Sequence, residues 1–353
     1  MTRRWLAVSL AVLLAAALTV LVLHQVRPAI LPWDRSSLVA AGYLPSWDGA
    51  SAASLATAAG HGMTEVSPVS ASVNKDGTLA VVTPPAAQEA ALRRAGLKVI
   101  PTVQNVSGAG FDGASVAELL VDATARARHV QAVLDAAVAG RWSGVDIDYE
   151  TLPPTAGDAF TSFLSDLRDR LHAHGMLLTV AVPARTTDAT SADGLAYAYP
   201  LIGRIADEVR VMAYDYSYST GSPGSVAPLR WVQSVVEYAA ARIPRDKLML
   251  GLATYGYDWV GQSGSPLGSA DAVKVASRRG VEPRWDAGTA SFTFTYEAGG
   301  QTHTVWYEDS RSVAAKADLA VSEGLRGLVF WRLGGEDPQI WTKVVATATG
   351  GKA

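Results

Sequence analysis

Gly144-Val145-Asp146-Ile147-Asp148-Tyr149-Glu150 sets three carboxylates at every second position, alternating with residue types that favour strands. Successive strand side chains point to opposite faces, so Asp146, Asp148 and Glu150 share one face at a spacing of about 6.5–7 Å. The opposite face, Val145, Ile147 and Tyr149, is apolar and has to pack against something. A solvated edge strand of an antiparallel sheet would leave these acids in water. The surrounding segments read instead as a parallel α/β protein, in which both sheet faces are covered. In that setting a strand that aligns three acids is costly unless the acids have chemistry to perform.

Outward from this stretch, strand-like runs fall at Leu38–Leu44, Glu65–Ser70, Lys98–Val103, Gly144–Tyr149, Leu177–Val182, Glu208–Ala213, Leu248–Ala253 and Gly327–Trp331. Amphipathic helical patterns lie between them. Val130, Val133, Leu134, Ala137 and Val138 form one apolar stripe, as do Phe160, Phe163, Leu164, Leu167 and Leu171, and Val232, Val235, Val236, Ala239 and Ala240. Strand–helix alternation of this kind predicts an α/β fold, a (β/α)8 TIM barrel. An open doubly wound sheet is the alternative, but Gly42-Tyr43-Leu44-Pro45 after the first strand is not a phosphate-binding loop. Residues 260–304 break the rhythm, being rich in Gly and Ser with a strand pair around Gly299-Gly300. They read as a small β-hairpin insertion after the seventh strand, on the face where barrel active sites sit. The barrel domain is thus expected over 38–346, with a C-terminal tail at 347–353.

The chain has 353 residues, 49% hydrophobic and 18% charged, enough apolar material for one large α/β domain. Net charge is −3 and no Lys/Arg cluster stands outside the extreme N-terminus, so nucleic acid is not an expected partner. Cysteine is absent, which excludes disulfides, thiol catalysis and a lipidated cysteine. His172 and His174 precede Gly175 at an expected helix end, a routine place for positive charge and a glycine cap. No metal site and no cofactor are expected. The acids on the fourth strand have no second acidic cluster to complete a divalent-ion site.

Arg3 and Arg4 precede an uncharged, mostly apolar run from Trp5 to Leu23. A positive flank keeps the N-terminus cytoplasmic and sends the downstream chain across the membrane. The run exceeds a signal-peptide core and just reaches the roughly 20 residues that span a bilayer. Residues 1–27 are therefore read as an uncleaved signal anchor or, alternatively, a cleaved signal peptide. Residues 28–37 read as a linker. The expected location is extracytoplasmic, anchored to the cell membrane facing the wall, or secreted.

On a barrel strand, Asp146 would lie deepest, Asp148 above it and Glu150 at the mouth. Crowded carboxylates do not all ionise easily, so at least one should have a raised pKa, as a general acid near neutral pH requires. Tyr43 and Trp47 after the first strand, and Asn105 after the third, are candidate contacts to a bound ligand or ordinary packing residues.

Ser143 to Glu150 resembles the D-G-x-D-x-D-x-E signature of family 18 glycoside hydrolases, with Ser143 in place of the first acid. Met212-Ala213-Tyr214-Asp215 resembles that family's M-x-Y-D motif, and Gly327-Leu328-Val329-Phe330-Trp331 its eighth strand. Within the family, Val305–Ser312, Lys316 and Phe330–Gly334 are most similar to the spore-germination, cortex-fragment-lytic N-acetylglucosaminidase branch.

The resemblance implies a retaining hydrolase in which the substrate's own 2-acetamido oxygen is the nucleophile. It implies Glu150 as acid then base, Asp148 as the group that orients the acetamido nitrogen and faces the oxazolinium, and Asp146 as the partner that shares its proton. Tyr214 would hold the acetamido group, Trp331 would stack under the sugar, and Met212 and Asp215 would contact substrate. The implied partner is a polysaccharide or oligosaccharide containing N-acetylglucosamine. Tyr214 and Trp331 could otherwise be core aromatics, and Asp215 a helix cap. Three functions compete: a glycosidase acting on peptidoglycan or its fragments, a chitinase, and a non-catalytic sugar-binding barrel. Retention of Glu150, Asp148 and Tyr214 argues against the last. Ser143 should alter the buried hydrogen-bond network below the acids rather than remove activity.

Overall fold

Val145 and Ile147 are fully buried on one face of their strand and Asp146 on the other, so both faces are covered. The computed structural model describes residues 38–108, 110–188 and 192–350. The expected anchor and linker lie outside the described residues. Eight parallel strands close on themselves: β1 (Val39–Leu44), β2 (Glu65–Val73), β3 (Thr102–Gln104), β4 (Gly144–Asp148), β5 (Leu177–Pro183), β6 (Glu208–Met212), β7 (Leu248–Ala253) and β8 (Gly327–Trp331). Closure is made by β1, where Gly42 pairs with Val66 of β2 on one side and Phe330 of β8 on the other.

The apolar stripes seen in the sequence face the outside of this barrel. Phe160, Phe163, Leu164, Leu167 and Leu171 of the helix Gly157–His172 are all fully buried, as are Val232 and Val235 of Leu229–Ala240. They share one core with Val145, Ile147, Val180, Val182, Val209, Val211, Leu250 and Leu252. Each such side chain contributes on the order of 1.5–3 kcal/mol by leaving water, so the outer layer holds the barrel rigid. The barrel interior is chemically different, since Glu65, Asp146, Glu208 and Arg210 are fully buried within it.

Three expectations change. The third strand is divided into Lys98–Val99 and Thr102–Gln104, because Pro101 between them has no N–H for the ladder. The hairpin expected at 260–304 is the centre of a larger unit spanning Tyr255 to Tyr307. It is a five-stranded antiparallel sheet (Tyr255–Val260, Ser263–Gly268, Arg284–Asp286, Ser291–Ala298, Gln301–Tyr307) carrying the helix Ser269–Arg279. That helix buries only the small residues Ser269, Ala272 and Ala276, too weak a stripe to read as helical periodicity. Finally, Ala346–Thr349, which cross from the expected domain into the expected tail at 347, form a short helix in which Ala346 and Ala348 are buried.

Candidate active site

The C-terminal ends of the strands open into a cavity of about 380 Å³ lined by Tyr43, Gln104, Phe111, Asp148, Glu150, Pro183, Ala184, Met212, Tyr214, Asp215, Trp231 and Trp331. Seven of the sequence candidates meet here: Asp148, Glu150, Tyr214, Asp215, Met212, Tyr43 and Trp331. A hollow of about 410 Å³ lies instead against the helix Ser310–Ser322 and the C-terminal turn, lined by Ala314, Ala317, Val321 and Val344 among others. It contains no pair of acids and lies away from the strand ends, so the chemistry belongs to the smaller cavity.

Strand alternation on β4 delivers the acids at three depths. Asp146 is fully buried, accepting hydrogen bonds from Thr102 Oγ1 at 3.0 Å and Thr179 Oγ1 at 2.5 Å. Asp148 is nearly buried, with Oδ2 accepting from Gln104 Nε2 at 2.7 Å. Its Oδ1 has no hydrogen-bond partner among the described residues. Burial pushes the Asp148 carboxyl up to about 7, with Gln104 opposing the shift and the charge of Asp146 adding to it. Burial likewise pushes Glu150 up to about 8, reinforced by the charges of Asp148 and Asp215. At neutral pH Glu150 is therefore a protonated acid facing a cavity, and Asp148 can hold or release a proton beside it.

Tyr214 comes up from β6 into space that β7 leaves open. A side chain at Gly251 would put its Cβ 2.4 Å from the Val211 carbonyl oxygen and 3.2 Å from the Tyr214 ring. Burial, followed by the surrounding phenol and carboxylates, keeps the Tyr214 hydroxyl protonated and able to donate. Asp215 has a left-handed backbone, φ 56°, as does Thr151 at φ 57° just past Glu150. Such geometry costs about 1–3 kcal/mol per non-glycine residue and is common where loops aim functional side chains. Trp331, at the top of β8, lines the cavity and packs against Tyr43 in a T-shaped arrangement with ring centroids 5.3 Å apart.

The sequence leaves Asn105 open to two readings, ligand contact or ordinary packing. It does not line the cavity. Its amide clamps the main chain of Glu150, Oδ1 accepting from the Glu150 N–H at 2.8 Å and Nδ2 donating to its carbonyl at 2.9 Å. Trp47, the other weak candidate, is 62% exposed and also lies outside the cavity lining. Ser143 sits just below β4, its Oγ accepting from the Val99 N–H at 3.3 Å, so the replaced acid belongs to the foot of the barrel.

Sequence reasoning missed Gln104, Phe111, Trp231, Tyr255 and Tyr257. The two tyrosines open the inserted sheet, and both donate to Asp215 Oδ1, at 2.5 Å and 3.0 Å. Their i, i+2 spacing is a readable signal, hidden because the Gly/Ser-rich composition that marks the insertion begins only after Val260. Among the described residues, no group of His, Asp and Glu is arranged to hold a metal ion.

Comparison with known proteins agrees with this fold. A cortical fragment-lytic enzyme of Bacillus cereus is 30% identical over 261 residues, covering 71% of this chain and 61% of the relative. The chain thus spans about three fifths of the length of that curated relative. The crystal structure of the Bacillus cereus spore cortex-lytic enzyme SleL superposes with a TM-score of 0.79 at 25% identity, covering 88% of this chain and 74% of that one. A chitinase from Chromobacterium violaceum gives a TM-score of 0.80 at 32% identity, covering 89% of this chain and 98% of that one. Residues 40–336, nearly the whole barrel, match the profile of the glycosyl hydrolases family 18. The closed barrel, the acids on β4 and this match agree: the chain belongs to glycosyl hydrolase family 18.

Proposed function

We propose that this protein hydrolyses β-linked N-acetylhexosamine glycans, with peptidoglycan or its fragments as substrate, by a substrate-assisted retaining reaction. One observation carries the reading: Glu150, Asp148, Tyr214 and Trp331 converge on a single cavity, the first protonated at neutral pH and the second beside it. Trp331 supplies the platform for the reacting sugar. The hydroxyl of Tyr214 holds the acetamido group against the anomeric carbon, which turns a bimolecular attack into an intramolecular one. As the acetamido oxygen bonds to that carbon, Glu150 gives its proton to the glycosidic oxygen and the old bond breaks. Asp148 then faces the oxazolinium as the counter-charge. Glu150, now a carboxylate, takes a proton from water, whose oxygen attacks the anomeric carbon as the bond to the acetamido oxygen breaks, which restores the acetamido group and the original configuration. Met212 and Asp215 contact the substrate, and Tyr255 and Tyr257 fix the Asp215 carboxylate.

The cortical fragment-lytic relative supports peptidoglycan as the polymer. The chitinase matched over almost its whole length supports chitin as the second reading. The arginines before the apolar run at Trp5–Leu23 support export, with the barrel facing the cell wall. Purified peptidoglycan and chitin oligomers, each digested and resolved by mass spectrometry, distinguish the two. N-acetylglucosamine released from peptidoglycan fragments at a kcat/KM at least about tenfold above that on chitin oligomers is expected, a gap of roughly 1.4 kcal/mol in transition-state binding. The reverse preference would assign a chitinase, and no product from either would leave a sugar-binding barrel.

A further inference from the structure

Arg210 lies on β6, two positions below Met212 on the same inward face, with a fully buried side chain. An arginine in a barrel lumen is expensive to desolvate, and a packed apolar side chain would serve stability as well. Its surroundings give it a different role. The guanidinium donates to Ser67 Oγ of β2 at 2.6 Å. Three buried carboxylates surround it: Asp146 of β4 at 3.3 Å, Glu208 of β6 at 3.5 Å and Glu65 of β2 at 3.6 Å. The Tyr43 ring of β1 completes the shell, its centroid 5.7 Å from the guanidinium carbon.

These carboxylates are not served equally. Glu65 has Lys98 at 3.2 Å and Glu208 has Arg326 at 2.8 Å, both cations at the partly exposed foot of the barrel. Asp146 has only hydroxyl partners, Thr102 and Thr179, besides Arg210. Among the described residues Arg210 is the single cation on Asp146. A guanidinium does not give up its proton inside a protein, so its charge is permanent.

We propose that Arg210 is a positioning residue of the hydrolysis: its permanent charge holds the Asp146 carboxylate from below, so that Asp148 is the member of the acid pair that takes up and releases the proton next to the substrate, and is free to face the oxazolinium as an anion. This inference rests on the hydrolase reading above. With Asp146 pinned, the carboxyl two residues on is the one that titrates, consistent with the upward shift of Asp148 beside that charge. Glu65 and Glu208 moderate the guanidinium, so the field reaching Asp146 is set by the whole cluster.

The test is the pH dependence of kcat on a fluorogenic N,N′-diacetylchitobioside. In Arg210→Met the cation beneath the acid pair is lost, so the pair holds its exchangeable proton more tightly. Both limbs of the profile should move to higher pH by about one unit or more, with kcat reduced about tenfold or more and KM little changed. Arg210→Lys, which keeps the charge, should return the limbs most of the way. Glu208→Gln removes an opposing anion and should move them the other way, towards lower pH, and it serves as the test if Arg210→Met does not fold. Limbs that stay at the parent positions in Arg210→Met, or in Glu208→Gln, would overturn the inference and leave Arg210 a structural residue. A parent enzyme that cleaves no N-acetylated glycan would overturn the hydrolase reading itself, and this inference with it.

Discussion

Replacing Glu150 by glutamine is expected to lower kcat by about 10³-fold or more while leaving the affinity for an N-acetylated oligosaccharide nearly unchanged. Glutamine keeps the shape of the side chain and its place beside Asp148 and Asp215, but it has no proton to give to the leaving oxygen. The parent's activity should fall as pH rises through about 8, where Glu150 loses its proton, and the residual activity of the variant should lack that alkaline limb.

The same substitution should stabilise the fold at alkaline pH, and linkage gives the sign. Glu150 holds its proton up to about 8 in the folded chain, whereas an ordinary glutamate loses it near 4.5. Below about pH 4.5 both states are protonated and the residue is neutral to stability. Between 4.5 and 8 the folded state binds more protons, so stability falls as pH rises, and the full penalty is present above 8. Thermal melting of Glu150→Gln should match the parent near pH 4 and exceed it by about 5 °C at pH 9. Equal melting at both values, or cleavage at the parent's rate, would remove Glu150 from the acid's role.

Asp148→Asn is the second large effect, expected to lower kcat by about 10²–10³-fold. Asparagine still reaches Gln104, but it cannot carry the negative charge that faces the oxazolinium. A second consequence separates this from simple misfolding. The charge of Asp148 is part of what raises the Glu150 carboxyl, so in the variant the alkaline limb of the residual activity should move to lower pH. Activity within about twofold of the parent would mean that Asp148 takes no part in the intermediate.

Legibility in the chain depends on the range of the interactions. The barrel strands show as local apolar runs, and β7 and β8 run over the expected residues. Asp148 and Glu150 sit at i, i+2, so strand geometry alone gives them a common face. The inserted sheet is only partly visible because its second strand, Ser263–Gly268, has no apolar alternation to show a buried face. Asn105 looks like a ligand contact because a polar residue at a strand top usually points into the cleft. Only the folded chain brings the Glu150 main chain within reach of its amide. The lumen cluster is harder still. Glu65, Asp146, Glu208 and Arg210 lie on three strands, and no spacing in the sequence links one of these strands to another. Ring closure, a long-range consequence of the register, is what brings them together.

The central claim is that the sugar's own acetamido group, held by Tyr214 and answered by Asp148, displaces the leaving group. Proton NMR of the anomeric signals during the first turnovers on an N-acetylglucosamine oligomer measures this directly. The β-anomer should form first and the α-anomer only later, by mutarotation, and the same oligomer stripped of its N-acetyl groups should not be cut. First-formed α-anomer, or cleavage of the deacetylated oligomer at a comparable rate, would contradict the account.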